Sequence, residues 1–386
     1  MYEPKLNEDV LSLLAKVYGD RLSRLLRSLS EPCKRYALRV NTLKCSAGEV
    51  VDKLRSRGLE AGVHERLEEA IYLVVKGPNQ LPAAEKVVVA DKYAAESVMQ
   101  GAHLYAPGVE RAEGVERGDE VLVVDKLGRP VAYGVAEMGV RELASQRRGV
   151  AVRTIVPLYS VPSIRDLEEY REGLVFEQSL PAMVTARVLD PQPGETIVDL
   201  CAAPGGKTGH IVQLMGNRGR VVAVDRSKRR LEALEENMAR LGARIVEAVQ
   251  ADARYLHVDY PTLKADRVLV DPPCSALGVR PKLYDEKTFR EVKAAAEYQK
   301  QFLKAAREIV KPGGVIVYST CTLTPQENEL VVSFALNQLG LELEDQPVKL
   351  GSTGLPMVEG FELLQRFHPD LHDTPGFFIA RFRRRE

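Results

Sequence analysis

Apolar residues recur at helical spacing between residues 8 and 29, which predicts an amphipathic helix near the N-terminus. Ser46 followed by Glu49 is a capping-box signal for the start of a second helix. Short runs rich in β-branched and aromatic residues lie between and after these helices, as is typical of strands. The predicted elements are a helix over 8–29, a strand over 36–40, a helix from 46 to 54 and a strand over 71–75. Residues 1–84 are therefore interpreted as a small α/β module.

Residues 85–160 have a different rhythm, in which short β-rich runs alternate with turns that contain Gly and Pro. Short strands with frequent turn signals predict a compact barrel or sandwich. One helix is expected near residues 93–100. The runs are 87–89, 121–124, 131–133 and 150–152, and the turns lie at 107–108, 118–119 and 128–130.

From about residue 176 onward, apolar runs alternate with segments of helical periodicity. This alternation predicts an α/β fold with a parallel, doubly wound sheet, and we assign it to residues 161–386. Ligands should bind at the carboxyl ends of its strands. The expected strands are 196–200, 220–224, 245–249, 267–270 and 315–318, and the expected helices are 207–215, 227–241, 287–309 and 325–338.

Charge and cysteine content narrow the function classes. Lys and Arg together number 54, as do Asp and Glu, so the net charge of zero argues against a protein coated in positive charge. Nucleic acid is not excluded, because binding depends on where the charge lies. The five cysteines are scattered and lack CxxC spacing, which disfavours a disulfide framework and a structural zinc site. With no signal peptide or membrane-spanning run, we expect a soluble, cytoplasmic protein without membrane contact.

The segment Asp199–Thr208 joins the first strand of the predicted sheet to its helix and contains paired glycines. Glycine lets the backbone approach a ligand closely, and a helix N-terminus favours polar or anionic groups. Asp225, Asp252 and Asp271 lie at or just beyond the ends of the next three strands. Each alone is compatible with a helix cap or a turn. Together they predict a pocket for an adenosine-type ligand at one edge of the sheet.

Cys274 and Cys321 follow neighbouring strands and lie among turn residues. A cysteine in a globular protein is usually a buried, inert thiol. Two thiols at adjacent strand ends, one of them three residues after Asp271, fit a reactive cleft better. A disulfide between them is disfavoured in a reducing compartment. The sequence therefore predicts that both thiols face the same cleft.

In combination, these motifs resemble the NOL1/NOP2/Sun family of RNA cytosine-C5 methyltransferases. The runs that carry the resemblance are Asp199–Thr208, Asp271–Ser275, Ser319–Cys321, Gln365–Pro369 and Gly376–Ile379, and Leu38–Thr42 is similar to the family's N-terminal segment. Two positions depart from the family pattern, Pro272 where Ala is usual and Ala276 where Gly is usual. The resemblance implies a Rossmann-like methyltransferase domain that uses S-adenosyl-L-methionine without a metal, beside an RRM-like N-terminal module.

The middle region resembles a PUA domain, a small RNA-binding barrel. The segments that carry this likeness are Gly101–Gly108, Gly118–Asp119 and Gly134. Its place between the N-terminal module and the catalytic sheet is similar to the NSUN6 subgroup of the family. This resemblance implies a tRNA substrate that is methylated at cytosine 72 of the acceptor stem, near the CCA end. We expect a monomer that holds the tRNA with its PUA and catalytic domains.

The resemblance also implies roles for the site residues. Cys321 would be the nucleophile that adds to cytosine C6, and Cys274 would release the product. Asp271 would hydrogen-bond the base near N3. Lys207 is a candidate for lowering a cysteine pKa, with helix-start packing or solvent exposure as the alternative.

For the cofactor, the resemblance implies a loop at the methionine end and polar residues at the nucleoside end. Arg230 falls at a family position, although a solvated helix-face charge is its alternative. The implied contacts are Cys201, Ala202, Ala203, Pro204, Gly205, Gly206, Lys207 and Asp271 near the methionine end, Asp225 at the ribose with Arg230 nearby, and Asp252 near the adenine.

RNA contacts and two rival functions remain open at this point. Arg147, Arg148 and Arg153 are candidate phosphate contacts, as is the basic run 381–385, which is also compatible with a solvated tail. Tyr105, Tyr133 and Tyr318 are expected to pack in the core rather than stack on a base. An amino-group methyltransferase would use Asp271-Pro-Pro but would leave Cys321 idle. A non-catalytic RNA-binding assembly factor would have no need of both thiols.

Overall fold

The N-terminal part of the chain folds into short helices and an antiparallel sheet in the computed structural model, which describes residues 3–385. Met1, Tyr2 and Glu386, which are the outer limits of the first and third expected domains, lie outside the described residues. The elements are β1 (Lys5–Leu6), α1 (Glu8–Tyr18), α2 (Leu22–Leu29), β2 (Arg35–Val40), α3 (Ala47–Ser56), β3 (Ala61–Val63) and β4 (Ala70–Val74). The predicted helix over 8–29 is two helices, because the backbone turns at Gly19 with φ +50°. The capping box of Ser46 and Glu49 starts α3 as predicted.

The middle region forms one six-stranded, barrel-like sheet, which confirms the β-rich barrel expected there. Its elements are β5 (Lys86–Ala90), α4 (Lys92–Val98), β6 (Leu104–Tyr105), β7 (Val109–Ala112), β8 (Glu120–Val124), β9 (Pro130–Ala136), α5 (Val140–Ser145) and β10 (Val150–Pro157). The strand order is β6-β10-β9-β8-β5-β7. Inward-facing valines of these strands, including Val88, Val121 and Val152, form its apolar core.

The C-terminal part is a doubly wound sheet with helices on both faces, as the alternating pattern predicted. Its elements are α6 (Glu168–Arg171), β11 (Val175–Glu177), α7 (Leu180–Leu189), β12 (Thr196–Asp199), α8 (Gly206–Leu214), β13 (Arg220–Asp225), α9 (Lys228–Leu241), β14 (Val246–Gln250), α10 (Leu256–Asp259), β15 (Ala265–Val270), β16 (Tyr284–Asp285), α11 (Phe289–Ile309), β17 (Val310–Thr320), α12 (Glu329–Leu339), β18 (Leu341–Leu343), β19 (Gln365–Phe367), α13 (Pro369–His372) and β20 (Phe377–Arg384). Strands run in the order β14-β13-β12-β15-β17-β20-β18, and the first five are parallel. No helix within residues 3–385 is both long and apolar enough to cross a bilayer.

Two strand pairings and one helix contact join the N-terminal elements to the rest of the chain, the first being the parallel pairing of β1 with β16. Strand β11, which follows the barrel in the chain, pairs antiparallel with β2. It completes a four-stranded sheet of order β11-β2-β4-β3. Helices α1 and α2 pack their apolar faces on Leu277, Val292 and Leu323, which belong to the doubly wound part. The N-terminal sheet is therefore fixed against the large sheet at its edge.

The basic run at the C-terminus is part of the large sheet, which corrects the expectation of a solvated tail. Strand β20 lies antiparallel between β17 and β18. Arg381 and Arg383 bind the carboxylate of Glu344, and Arg385 binds Glu342 at 2.5 Å. The run is therefore not a solvated tail. Three of its guanidinium groups bind carboxylates, and that of Arg384 donates to the carbonyls of Arg307 and Val310.

The barrel rests on the segment between β15 and α11. Leu283 and Tyr284 of this segment are buried in the apolar core of the barrel. The Leu283 amide donates to Glu96 Oε1 at 2.9 Å, and its carbonyl accepts from Arg129 Nη2 at 2.6 Å. Since the same segment carries Cys274, the barrel and the edge of the large sheet are directly linked.

Candidate active site

The carboxyl ends of the parallel strands bring together the side chains that the sequence singled out. Asp225 is the last residue of β13, Asp271 follows β15, and Cys321 follows β17. A cavity of about 320 Å³ opens at this edge of the sheet. Its lining includes Asp225, Asp252, Asp271, Cys274 and Cys321. The prediction that three carboxylates and two thiols share one cleft is confirmed.

At one end of this cavity, two carboxylates are held in place by local hydrogen bonds. Asp225 accepts from the Ser227 amide at 2.9 Å and pairs with Arg230 Nη1 at 3.0 Å. Arg230 also donates to the Ala203 carbonyl, so it bridges the first two strand ends rather than being only a solvated charge. Asp252 accepts two hydrogen bonds from the guanidinium of Arg254, from Nε at 2.9 Å and from Nη2 at 2.5 Å. Sequence reasoning missed this partner.

The loop from Asp199 to Gly206 makes a tight turn that only glycine accommodates easily. Gly205 has φ +102°, and a side chain there would come within 2.8 Å of Met238. Helix α8 begins at the next residue, and Thr208 Oγ1 donates to Asp199 at 2.8 Å. Burial raises the pKa of Asp199 to about 6. The loop therefore presents backbone groups and a helix N-terminus to a second cavity, of about 250 Å³.

Asp271 links the two cavities and is held by two donors. Lys207 Nζ lies 2.7 Å from its Oδ2, and Ser319 Oγ lies 2.6 Å from its Oδ1. Lys207 is largely buried, so the solvent-exposed alternative is excluded for it. Burial alone would lower the pKa of Lys207, but the adjacent Asp271 carboxylate outweighs it and raises the pKa. The pair therefore places a fixed positive charge and a carboxylate beside the thiols.

The two thiols touch, with 3.2 Å between Sγ of Cys274 and Sγ of Cys321. The pKa of Cys321 is lowered, chiefly by the hydrogen bond from Cys274 and also by the charge of Lys207. The same contact and burial raise the pKa of Cys274 well above its usual value. Cys201 is also raised well above its usual pKa, mainly by burial. Cys321 is thus the thiol that ionises most easily here, because the thiolate is the form that the surroundings stabilise.

A buried hydrogen-bond network fixes the loop that carries Cys274. Glu327 is fully buried and accepts from the Ser275 amide at 2.8 Å and from Gln299 Nε2 at 2.9 Å. Ser275 Oγ lies 2.6 Å from Thr322 Oγ1, next to Cys321. Sequence reasoning missed Glu327, since an isolated Glu near a helix start is usually read as a cap.

One arginine of the N-terminal sheet contacts the loop from Asp199 to Gly206, which we term the cofactor loop. Arg39, in the segment Leu38–Thr42, is only 1% exposed, and its Nη1 donates to the Gly206 carbonyl and to Gln178 Oε1. Its guanidinium also lies 5.2 Å from the centre of the Phe176 ring. The segment was matched to a family motif, but nothing in the sequence assigned Arg39 to the loop, because that contact joins residues 167 positions apart.

The candidate RNA-contacting arginines of the barrel differ in solvent exposure and in whether they form an ion pair. Arg147 and Arg148 are exposed, whereas Arg153 pairs with Glu137 at 2.8 Å. Arg147 Nη2 donates to the Pro107 carbonyl at 3.2 Å. Tyr105 is 56% exposed, so the expectation that it packs in the core is wrong. It lies on a two-residue strand at the edge of the barrel sheet, whereas Tyr318 in the large sheet is fully buried as expected.

The residues of the cleft fit an S-adenosylmethionine-sized ligand. The cavity has a volume of about 320 Å³, and Asp225 and Asp252 in its lining supply acceptors for hydroxyl and amino groups. Within residues 3–385, no group of three or more His, Cys, Asp or Glu side chains is arranged to hold a metal ion.

Three family descriptions match consecutive parts of the chain. Residues 186–383 match the family described as 16S rRNA methyltransferase RsmB/F. Residues 86–158 match the PUA domain, and residues 10–79 match the ferredoxin-like domain of RsmF/B-like methyltransferases.

Similar proteins share this whole arrangement. A tRNA (cytosine(72)-C(5))-methyltransferase from Pyrococcus horikoshii is 46% identical over 371 residues, which cover 95% of this chain and 93% of that protein. The tRNA (cytosine(72)-C(5))-methyltransferase NSUN6 of Homo sapiens is 32% identical over 445 residues, covering 98% and 94%. The crystal structure of NSun6 from Pyrococcus horikoshii with SFG superposes with a TM-score of 0.92 at 43% identity over the full length of both chains.

Proposed function

The chain belongs to the RsmB/F (NOL1/NOP2/Sun) family of S-adenosylmethionine-dependent methyltransferases, and we propose that it methylates C5 of cytosine 72 in the acceptor stem of tRNA. The observation that carries this proposal is the pair of touching thiols, Cys274 and Cys321, at neighbouring strand ends beside the cofactor cleft. The relatives named for the cytosine 72 reaction align over at least 95% of the chain, the barrel included. Both observations support a base-methylating enzyme rather than an RNA-binding factor without activity.

The chemistry follows from the low nucleophilicity of C5 in cytosine. The Cys321 thiolate adds to C6, and the new C6–S bond pushes electron density onto C5. S-adenosylmethionine, when bound, supplies the electrophilic methyl group for C5. Cys274 then takes the C5 proton, and the electron pair of the broken C–H bond restores the ring double bond as Cys321 leaves C6. The raised pKa of Cys274 makes it a thiol before the reaction. It therefore releases its own proton to solvent once Cys321 has reacted, and its thiolate is then a strong enough base to take the C5 proton.

Asp271 and Lys207 orient the base and set the charge of the nucleophile. Their side chains contact each other at 2.7 Å, and Asp271 lines the cavity that holds both thiols. We assign Asp271 to a hydrogen bond near N3 of cytosine, which requires a proton on the carboxyl group or on N3, because a carboxylate and a neutral N3 are both acceptors. Lys207 stabilises the Cys321 thiolate, because its charge lowers the pKa of that thiol.

The cofactor takes the same edge of the sheet. We assign the methionine end to the loop residues and Lys207, the ribose to Asp225 with Arg230 behind it, and the adenine to the vicinity of Asp252. The loop residues so assigned are Cys201, Ala202, Ala203, Pro204, Gly205 and Gly206.

We further propose three functional domains, at 1–84, 85–160 and 161–386, which act as a monomer on the acceptor stem and CCA end. The exposed barrel arginines support RNA contact by the middle domain. The five free cysteines support a reducing compartment such as the cytoplasm.

Mass-spectrometric or bisulfite mapping of tRNA after incubation with the protein and S-adenosylmethionine tests the proposal. The expected result is 5-methylcytidine at position 72. N4-methylcytidine would instead identify an amino-group methyltransferase. Tight tRNA binding with no methylated base would identify an assembly factor. Methylation at another cytosine would retain the chemistry and refute the site.

A further inference from the structure

Gln178 presents an amide group whose direction is fixed by its neighbour. It follows β11, and it is 7% exposed. Its Oε1 accepts a hydrogen bond from Arg39 Nη1. Because a guanidinium has donors and no acceptor, the oxygen of the amide must face Arg39 and the NH2 group must face away. The orientation of this side chain therefore follows from chemistry.

The NH2 group of Gln178 is without a partner. Among residues 3–385, Nε2 of Gln178 has no hydrogen-bond acceptor. A buried amide donor left unpaired costs free energy, so such groups in native proteins call for an explanation. A ligand that supplies an acceptor is one such explanation.

Gln178 lies in the wall between two cavities. Glu177, Gln178 and Ser179 line the 250 Å³ cavity, which also contains Lys207 and Asp271. The same three residues line a further cavity of about 410 Å³ between the N-terminal sheet and the large sheet. The 320 Å³ cavity that contains Cys321, which we term the Cys321 cleft, shares Asp271 with the 250 Å³ cavity. The 250 Å³ cavity therefore adjoins the Cys321 cleft on one side and the 410 Å³ cavity on the other.

The lining of the 410 Å³ cavity, which we term the flanking cavity, suits an unstacked base. Tyr36 and Tyr72 line it, and the guanidinium of Arg35 lies 4.2 Å from the centre of the Tyr72 ring. Aromatic rings and guanidinium planes are the groups on which proteins stack splayed bases. Its two carboxylates are already occupied, since Glu177 accepts from Tyr36 at 3.0 Å and Asp373 from Arg280 at 3.1 Å.

Cofactor binding does not account for this space. The flanking cavity has none of the loop residues Asp199–Lys207 in its lining, and neither Asp225 nor Asp252. A target base that leaves its stack to reach Cys321 also unstacks its neighbour in the strand. A second base therefore needs a place close to the cleft.

We propose that the flanking cavity receives the base of the nucleotide next to the target cytidine, and that Gln178 Nε2 donates a hydrogen bond to an acceptor atom of that base. The inference rests on the proposed function, since it takes the Cys321 cleft as the place of the target base. Gln178 is then a residue that determines sequence specificity.

Four variants of the full chain separate this role from a structural one. Gln178→Glu keeps an oxygen toward Arg39 and replaces the NH2 donor with a second oxygen. Gln178→Met removes the donor without adding charge. Ala37→Phe, on β2 in the lining of the flanking cavity, fills the space with a ring. Gln213→Met is the matched control, because Gln213 is a buried glutamine that lines neither cavity.

Steady-state methylation gives the first readout. We expect kcat/KM for tRNA to fall at least tenfold in Gln178→Glu, Gln178→Met and Ala37→Phe. S-adenosylmethionine affinity and Tm should stay within error of the parent in Gln178→Glu, which keeps the oxygen that accepts from Arg39, whereas Gln178→Met loses this acceptor and should have a lower Tm. Gln213→Met should retain the parent kcat/KM. Loss of cofactor affinity in Gln178→Glu would overturn the proposal, since the amide would then serve the cofactor.

Binding of short acceptor-stem RNAs gives a readout that does not need turnover. RNAs with an abasic residue at the target, at its 5′ neighbour or at its 3′ neighbour are titrated against the parent protein and Gln178→Met. If Gln178 contacts a flanking base, one flanking abasic site and the substitution will be non-additive. Coupling only with the target position, or additivity at all three, would overturn the proposal.

The experiments distinguish a failure of the proposed function from a failure of the role proposed for Gln178. If the parent protein leaves every tRNA unmethylated, the proposed function fails, and the same binding cycle still decides whether a flanking base occupies the cavity. If the parent methylates tRNA and all three variants match it, only the role of Gln178 is refuted.

Discussion

At the scale of single residues, the contact between Cys274 and Cys321 gives two identical side chains different protonation preferences and therefore different roles. One thiol is biased toward thiolate and the other toward thiol. If Cys274 completes the reaction after methyl transfer, Cys274→Ala should leave the RNA attached to Cys321. We expect a protein–RNA adduct that survives denaturing electrophoresis and requires S-adenosylmethionine.

The matched control is Cys321→Ala, which should form no adduct and less than about 10⁻³ of the parent methylation rate, because the nucleophile is absent. Cofactor affinity should remain, since Ala occupies less space than Cys. An adduct in Cys321→Ala, or full turnover in Cys274→Ala, would reverse or remove the assigned roles.

Lys207 should set the pH at which the nucleophile is active. Its positive charge helps to keep the pKa of Cys321 low, while Asp271 opposes it. Lys207→Met removes the charge and leaves Asp271 unopposed, so the pKa of Cys321 rises and less thiolate is present at neutral pH. Single-turnover rates from pH 6 to 9 should show the rising limb displaced to higher pH, with a loss of about tenfold or more at pH 7. An equal loss at every pH would instead place Lys207 on the substrate.

Ala276 has a strained backbone in the loop after Cys274. Its φ is +56°, in the left-handed region, at the position where the family resemblance expects Gly. An L-residue with a side chain costs roughly 1–2 kcal/mol there, partly offset by the greater flexibility of Gly in the unfolded chain. Ala276→Gly should therefore raise the free energy of unfolding by about 0.5–1 kcal/mol in denaturant titrations. Ala276→Val should lower it, and the opposite order would show that the turn is not strained.

At the scale of elements, the segment between β15 and α11 connects the barrel to the thiols. Leu283 is 3% exposed and lies in the barrel core, nine residues after Cys274. Leu283→Ala should cost about 2–5 kcal/mol of stability through the cavity it leaves. Because the segment then loses its anchor, we also expect slower methyl transfer at saturating tRNA and S-adenosylmethionine.

Val279→Ala is the control for Leu283→Ala, since Val279 belongs to the same segment but is 40% exposed. It should change stability by less than about 0.5 kcal/mol. Unfolding curves and single-turnover rates measure both variants. A destabilised Leu283→Ala with the parent single-turnover rate would mean that the barrel does not position the loop of Cys274.

Elements with a strong local pattern were predictable from the sequence, and long-range pairings were not. The capping box at Ser46 and the five parallel strands follow local signals, and the family motifs brought both thiols to one cleft. The pairing of β11 with β2 and the place of β20 between β17 and β18 depend on contacts between distant segments. A charged run such as 381–385 resembles a tail until its acidic partners are known.

Buried polar side chains with distant hydrogen-bond partners were also not predictable from the sequence. Arg39, Gln178 and Glu327 carry no motif of their own, and each acts through a buried hydrogen bond to a residue far away in the chain. Arg and Glu are mostly exposed in proteins, so the sequence favours a surface position for them. Only the three-dimensional structure shows that Arg39 supports the cofactor loop.

At the scale of the whole molecule, a net charge of zero is compatible with RNA binding because many cations are already paired. Arg153, Arg381 and Arg385 each bind a carboxylate, so their charges are locally cancelled. Arg147 and Arg148 are exposed, and Arg147 contacts the carbonyl of Pro107, which is two residues from the exposed Tyr105. This part of the barrel therefore combines positive charge with an aromatic face.

Binding of tRNA should depend on these two barrel arginines and not on the terminal run. Each phosphate contact contributes about 0.7–0.9 to the slope of log affinity against log salt. The double variant Arg147→Ala, Arg148→Ala should therefore bind tRNA more weakly and reduce that slope by about 1.5, with unchanged S-adenosylmethionine affinity. Arg383→Ala, which removes a guanidinium bound to Glu344, is the matched control and should keep the parent slope. Fluorescence anisotropy between 50 and 300 mM salt measures both, and a reduced slope in Arg383→Ala alone would place the RNA on the edge of the large sheet instead of the barrel.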